Sequence, residues 1–137
     1  MLARFSGEVA VSCVLVIDDD PVVTSVYEGL FSSAGFDVRV AQDGEDGLAS
    51  VHRWRPDAVL LDLSMPRLNG LQWLQTVRSD RRFEKLPVVV FTAGQVAWQL
   101  TAAKNSTATR VISKKTADPS AVVQAVSDVI LMGAWSI

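Results

Sequence analysis

A chain of 137 residues with 49% hydrophobic and 20% charged residues has the balance of one globular domain, not of a disordered tract. Its formal net charge of −2 lacks the basic footprint a polyanion partner requires, so direct nucleic-acid binding is not expected. The one cysteine, Cys13, excludes an internal disulfide, and no apolar run approaches a membrane span.

Five short runs rich in Val, Ile and Leu fall at 14–17, 38–40, 58–61, 88–91 and 111–112, a pattern of parallel strands buried on both faces. Before the first, Arg4 and the stretch from Val9 to Ile17 faintly imitate a secretion signal. Glu8 and Ser12 break it, and it runs into Asp18-Asp19-Asp20 instead of a small-residue cleavage site, so the expected location is cytoplasmic.

Helical patterns follow each run. The first opens at Asp20-Pro21, an N-cap and a first-turn proline, turns Val22, Val23, Val26, Leu30 and Phe31 inward, and stops at Ala34-Gly35. The second starts at Asp43, with Asp46 three residues on, and faces Leu48 and Val51 to the core. The third begins at Asn69-Gly70 and carries Leu71, Leu74 and Val77; the fourth covers 95–104, with Val96 and Leu100 four apart. The fifth opens at Asp118-Pro119 and carries Val122, Val123, Val126, Val129 and Ile130. Strand and helix in alternation predict an α/β fold, a doubly wound parallel sheet with helices on both sides. The domain is expected over 12–131, with 1–11 as an N-terminal extension and 132–137 as a short tail holding Trp135 and Ile137. The fifth helix ends near the chain's end, so no attached effector domain is expected. Trp54 and Trp73 are expected to cover core edges, and His52, without a second histidine, to lie at the surface.

Sites in open sheets form beyond the carboxyl ends of the strands. The first strand ends in Asp18-Asp19-Asp20, the third in Asp62, the fourth in Thr92 and the fifth in Ser113-Lys114. Singly these are ordinary residues, a helix cap in Asp20 or a solvated charge in Lys114. Together they bring three or four carboxylates, a hydroxyl and an ammonium to one edge. Clustered carboxylates raise one another's pKa unless a cation intervenes, and a hard divalent ion such as Mg²⁺ suits oxygen ligands where phosphoryl groups are handled. Asp18 and Asp19 offer ligand oxygens, and one carboxylate is left to attack phosphorus and form an aspartyl phosphate. The ammonium of Lys114 and the hydroxyl of Thr92 can then hold the phosphoryl oxygens.

The stretches Val14-Leu15-Val16-Ile17-Asp18-Asp19-Asp20-Pro21, Leu60-Leu61-Asp62-Leu63-Ser64-Met65-Pro66 with Gly70, Val90-Phe91-Thr92-Ala93 and Ser113-Lys114 resemble the receiver domains of response regulators. The resemblance runs from about residue 12 to 131, and Asp62-x-x-Met-Pro-x-x-x-Gly is its most specific part. It implies a flavodoxin-like sheet with strand order 2-1-3-4-5. It makes Asp62 the phospho-acceptor, Thr92 the switch hydroxyl and Lys114 the phosphoryl-contacting lysine, with Mg²⁺ held by Asp18, Asp19, Asp62 and the backbone carbonyl of Ser64. The implied partners are a histidine kinase or histidine phosphotransfer protein and a downstream protein, without nucleic acid or membrane; a homodimer is compatible with it. Such a domain modifies itself once per cycle and is not an enzyme in the strict sense.

Three positions depart from the family pattern: Lys115 stands in place of proline, Val111 in place of an aromatic, and Thr107-Ala108 in place of Gly-Ala. Val111 has one preferred rotamer and no ring to relocate. The signal is therefore expected to travel by displacement of residues 93–104, including Trp98. Two alternatives remain at this point. One is a receiver-like binding module without phosphorylation. The other is a haloacid-dehalogenase-type phosphohydrolase with Asp18 as nucleophile, which leaves Asp62 to Pro66 unexplained.

Overall fold

The five apolar runs become five parallel strands in the computed structural model, which describes residues 4–6, 9–93 and 108–135. They are β3 (Cys13–Ile17), β4 (Asp37–Ala41), β5 (Ala58–Leu61), β6 (Val88–Thr92) and β7 (Arg110–Ser113), after a short antiparallel hairpin of β1 (Arg4–Ser6) and β2 (Val9–Val11). The parallel sheet has the order β4-β3-β5-β6-β7, which is the expected 2-1-3-4-5. The hairpin was not expected: its strands are three residues each, too short for a periodic signal. In the sheet, Ile17 pairs with Ala41 and with Leu61, and Thr92 pairs with Ser113. The residues that leave β3, β5, β6 and β7 therefore emerge along one edge.

Four helices are described: α1 (Pro21–Ser33), α2 (Gly44–Trp54), α3 (Gly70–Arg78) and α4 (Pro119–Trp135). Their starts are chemical. Asp20 accepts the Val22 N–H at 2.9 Å and Asp43 the Asp46 N–H at 2.7 Å. Asn69 and Gln72 exchange bonds of 2.9 and 3.0 Å, a complete capping box that the sequence reading did not include. The stop at Ala34-Gly35 holds, with Gly35 at φ 94°. Helix α4 runs on through Trp135, so that residue belongs to the helix and not to a tail. The helix expected at 95–104, with Trp98, lies outside the described residues.

Helices α2 and α3 cover one face of the sheet, packing Val51, Trp73, Leu74 and Val77 on Leu15, Ile17, Val59, Leu61 and Val90. Helices α1 and α4 cover the other, with Tyr27, Phe31, Val122, Val126 and Val129 against Val14, Val16, Leu60, Val89 and Phe91. Alternate side chains of each central strand thus enter different cores. The edge strand β4 is only half-buried over 37–40.

Two packing expectations fail. Val22 and Val26 are 69% and 47% exposed, while Thr24, Tyr27 and Phe31 are the buried residues of α1. The inner face is set by the 24, 27, 31 row; Val26 stands about 100° around the axis from Tyr27. Thr24 is tolerated there because its hydroxyl donates to the Pro21 carbonyl at 3.1 Å. Trp73 does not cover a core edge but is wholly buried. A Cβ on Gly47 would stand 2.9 Å from the indole Nε1, so the missing side chain on α2 makes its room. Trp54 does sit at an edge, half-buried under the Arg39 guanidinium at 3.8 Å.

Candidate functional site

The ends of the strand ladders position the site. The Asp18 N–H donates to the Ala41 carbonyl at 3.1 Å, that of Asp62 to Ile17 at 2.9 Å, and that of Lys114 to Thr92 at 2.9 Å. These bonds fix each backbone one residue past its strand, so the side chains project into a common space. Asp18, Asp62 and Thr92 are buried there at 2%, 4% and 1% exposure, and Asp19 is exposed. One carboxylate oxygen each from Asp18, Asp19 and Asp62 lies within 4.8 Å of the others. The fourth acid, Asp20, stays outside this cluster as the cap of α1.

The Lys114 Nζ stands 2.6 Å from Asp18 Oδ2 and 3.7 Å from Asp62 Oδ1, so its closer partner is Asp18. Asp18 Oδ1 accepts the Asp20 N–H at 2.9 Å, and Asp62 Oδ1 accepts the Ser64 N–H at 3.2 Å. Among the described residues, donors to Asp62 fall on Oδ1, which leaves Oδ2 without one. Burial pushes the Asp62 carboxyl above its ordinary value, and the charge of Asp18 pushes it further; Lys114 and the Ser64 N–H oppose this, and Asp19 adds a smaller push. Asp62 is a buried carboxylate whose charge is incompletely met.

The loop after Asp62 explains its glycine. A Cβ on Gly70 would fall 2.2 Å from the Asp62 carbonyl oxygen and 2.6 Å from the Leu63 Cα, so any side chain would displace the backbone that carries Asp62. Between them, Arg67 adopts φ 61° and pairs with Asp43 at 3.2 Å, tying this loop to the start of α2. That tie went unread, since two surface charges 24 residues apart give no sequence signal. Ser64, expected as a carbonyl ligand, is exposed, and its N–H faces Asp62. Three carboxylates of hard oxygen, with a lysine at their margin, fit a small divalent cation.

The model of the response regulator receiver domain matches residues 14–127. The chain belongs to that family. Similar proteins include the "DNA-binding dual master transcriptional regulator RpaA" of Synechocystis, 38% identical over 84 residues that make up 61% of this chain and 35% of that one. The "Response regulator MprA" of Mycolicibacterium vanbaalenii is 42% identical over 80 residues, 58% of this chain and 34% of its own. The aligned part thus spans about a third of the length of these relatives. In structure, the Vibrio cholerae chemotaxis protein CheY4 superposes with a TM-score of 0.81 over 88% of this chain and 99% of its own, at 24% identity, a likeness of fold. The family and the flavodoxin-like sheet expected from the sequence are both met. Receiver domains are signalling modules of two-component systems and not catalysts, and they typically bind Mg²⁺ in an acidic pocket. No described helix is long and apolar enough to cross a membrane.

Proposed function

We propose that Asp62 is the phospho-acceptor of this receiver domain, taking its phosphoryl group from a histidine kinase or histidine phosphotransfer protein. The observation that carries this is the state of Asp62: buried, raised in pKa, held through Oδ1, and, among the described residues, without a donor on Oδ2. In the transfer, a lone pair of Oδ2 forms the new O–P bond while the bond from phosphorus to the donor histidine nitrogen breaks, its electron pair leaving with that nitrogen. Asp18, Asp19, Asp62 and the Ser64 carbonyl would hold Mg²⁺, which when bound offsets the crowded negative charge of carboxylates and phosphoryl oxygens. Lys114, 3.7 Å from Asp62, needs only a small shift from Asp18 to reach a phosphoryl oxygen. Thr92, buried at the end of β6, supplies a hydroxyl that can donate to another.

On this reading, residues 12–131 form the receiver, which works in the cytoplasm and passes its signal through contacts with a downstream protein. It turns over no substrate beyond its own acyl phosphate. The chain itself, with a net charge of −2, makes no direct nucleic-acid contact; any such contact belongs to other parts of a longer protein.

Incubation with a small phosphodonor and Mg²⁺ should add one phosphoryl mass. Asp62→Asn, or excess chelator, should abolish the addition, and Asp19→Ala should suppress it. Unchanged labelling of Asp62→Asn would refute the assignment, and turnover of a phosphate monoester through Asp18 would favour the phosphohydrolase alternative.

A further inference from the structure

A cleft of about 440 Å³ opens at the other end of the sheet, with Arg55, Arg82 and Lys85 on its rim and Pro56, Phe83 and Leu86 in its floor. It lies before β5 and β6, whereas Asp62 and Thr92 lie after them. Five residues of extended chain separate Asp57 from Asp62, roughly 16 Å. The rim residues are exposed and the floor residues buried, and two more exposed arginines, Arg53 and Arg81, stand beside the rim in sequence.

The wall of this cleft is held rigid. The half-buried Arg78 guanidinium donates to the carbonyls of Phe83 and Leu86, both at 2.7 Å. Asp80 caps the single 3₁₀ turn Arg81–Phe83 by accepting the Arg82 N–H at 3.0 Å. The His52 ring packs edge-on against Phe83 at 5.1 Å. On the opposite wall, Arg55 takes a left-handed φ of 45° at the end of α2, a conformation that favours glycine, and so sets a guanidinium where a smaller residue would fit the backbone better. The one carboxylate in the lining, Asp57, is 3% exposed and its Oδ2 accepts the Cys13 N–H at 2.6 Å, so it engages the sheet below the cleft. Asp80 meets Arg82 at 2.6 Å, but the Arg82 side chain remains 61% exposed.

We propose that this cleft docks an acidic segment of a protein partner, seating an apolar side chain on Phe83 and Leu86 and carboxylates against Arg55, Arg82 and Lys85. An apolar floor inside a charged, arginine-rich rim is the anatomy of a protein contact. The cations sit on long exposed stems, and the floor carbonyls are already engaged by Arg78, so the site suits an extended segment better than an enclosed small ion. A preorganised wall lowers the cost of ordering on binding. Because the cleft and Asp62 occupy opposite ends of β5, a partner seated here leaves the phosphoryl site open. The docking is therefore independent of phosphorylation.

The test uses the full chain, isotope-labelled for NMR, and four probes: a hexapeptide of alternating glutamate and leucine, its lysine–leucine counterpart, pyrophosphate, and a short DNA duplex. The acidic peptide should move the amides of residues 55, 57 and 82–86, and the basic one should not. Affinity should fall about ten-fold in Arg55→Gly/Lys85→Ser, a variant whose glycine suits the backbone it enters. Labelling of Asp62 should be unchanged in that variant. Equal affinity of the variant, or acidic-peptide shifts confined to other residues, would overturn the proposal. So would shifts at these residues from pyrophosphate or DNA with none from the acidic peptide.

Discussion

Strand β5 is bracketed by two aspartates that are almost equally buried, Asp57 at 3% and Asp62 at 4% exposure, and that do opposite things. Asp57 accepts the backbone N–H of Cys13 at 2.6 Å, while the Asp57 N–H donates back to the Cys13 carbonyl at 2.8 Å, so the carboxylate locks β5 to β3. Among the described residues, Asp62 accepts a longer bond from Ser64 at 3.2 Å, has Lys114 at 3.7 Å and faces the negative charge of Asp18. If Asp62 is the acceptor, as proposed, burial alone does not set a carboxylate's role. What separates the two is whether the surrounding groups meet the charge or leave it in excess.

The sharpest break of this comparison is chemical. Asp62→Asn should remove phosphoryl labelling, a loss of at least about a hundred-fold since the nucleophile is gone. Asp57→Asn should label like the native protein. Mass spectrometry on both variants decides it, and labelling that depends on Asp57 would erase the distinction.

Stability should respond in the reverse sense. Asp57→Ala leaves the Cys13 N–H buried without its acceptor and should cost about 1–3 kcal/mol in urea unfolding. A loss near zero would show that Asp57 is not the structural member of the pair. Gly70→Ala should cost a similar amount, about 1–3 kcal/mol, by forcing a side chain against the Asp62 carbonyl, and should also slow labelling because the loop must move.

The smallest effect has the most informative sign. Because the folded Asp62 pKa lies above its ordinary value of 3.8, the native state binds more protons than the unfolded one between those two values. Stability should then fall as pH rises through that window, and the penalty should be fully present at neutral pH. Asp62→Asn should be the more stable protein at pH 7 without added metal, seen as a higher Tm. The difference should shrink as pH falls toward 3.8. A variant less stable than the native protein at pH 7 would mean that Lys114 and Ser64 compensate Asp62 fully.

Much of this was legible because it is written locally. Helix starts at Asp20, Asp43 and Asn69 declare themselves in the residues that cap them, and strands covered on both faces read as unbroken Val, Ile and Leu runs. The candidate site residues were legible for a related reason: a parallel sheet brings together whatever follows each strand, so the strand ends pointed to Asp18, Asp19, Asp62, Thr92 and Lys114 as candidates. The face of α1 was not legible, since valines recur at 22, 23 and 26 and a small rotation decides which are covered. Nor was the burial of Trp73, which depends on the absence of a side chain at Gly47 on a different helix.

By itself, then, the sequence determined the order of elements, the parallel sheet and the carboxylate-rich edge, because each rests on contacts within a few residues or on a repeating polarity. Only the tertiary structure decided how the charges are shared. Lys114 lies closer to Asp18 than to Asp62, Asp20 leaves the cluster to cap a helix, and the cations at 55, 82 and 85 meet around one cleft. Distances across strands and loops set those pairings, and Coulomb energies change too steeply with distance and burial for spacing along the chain to reveal them.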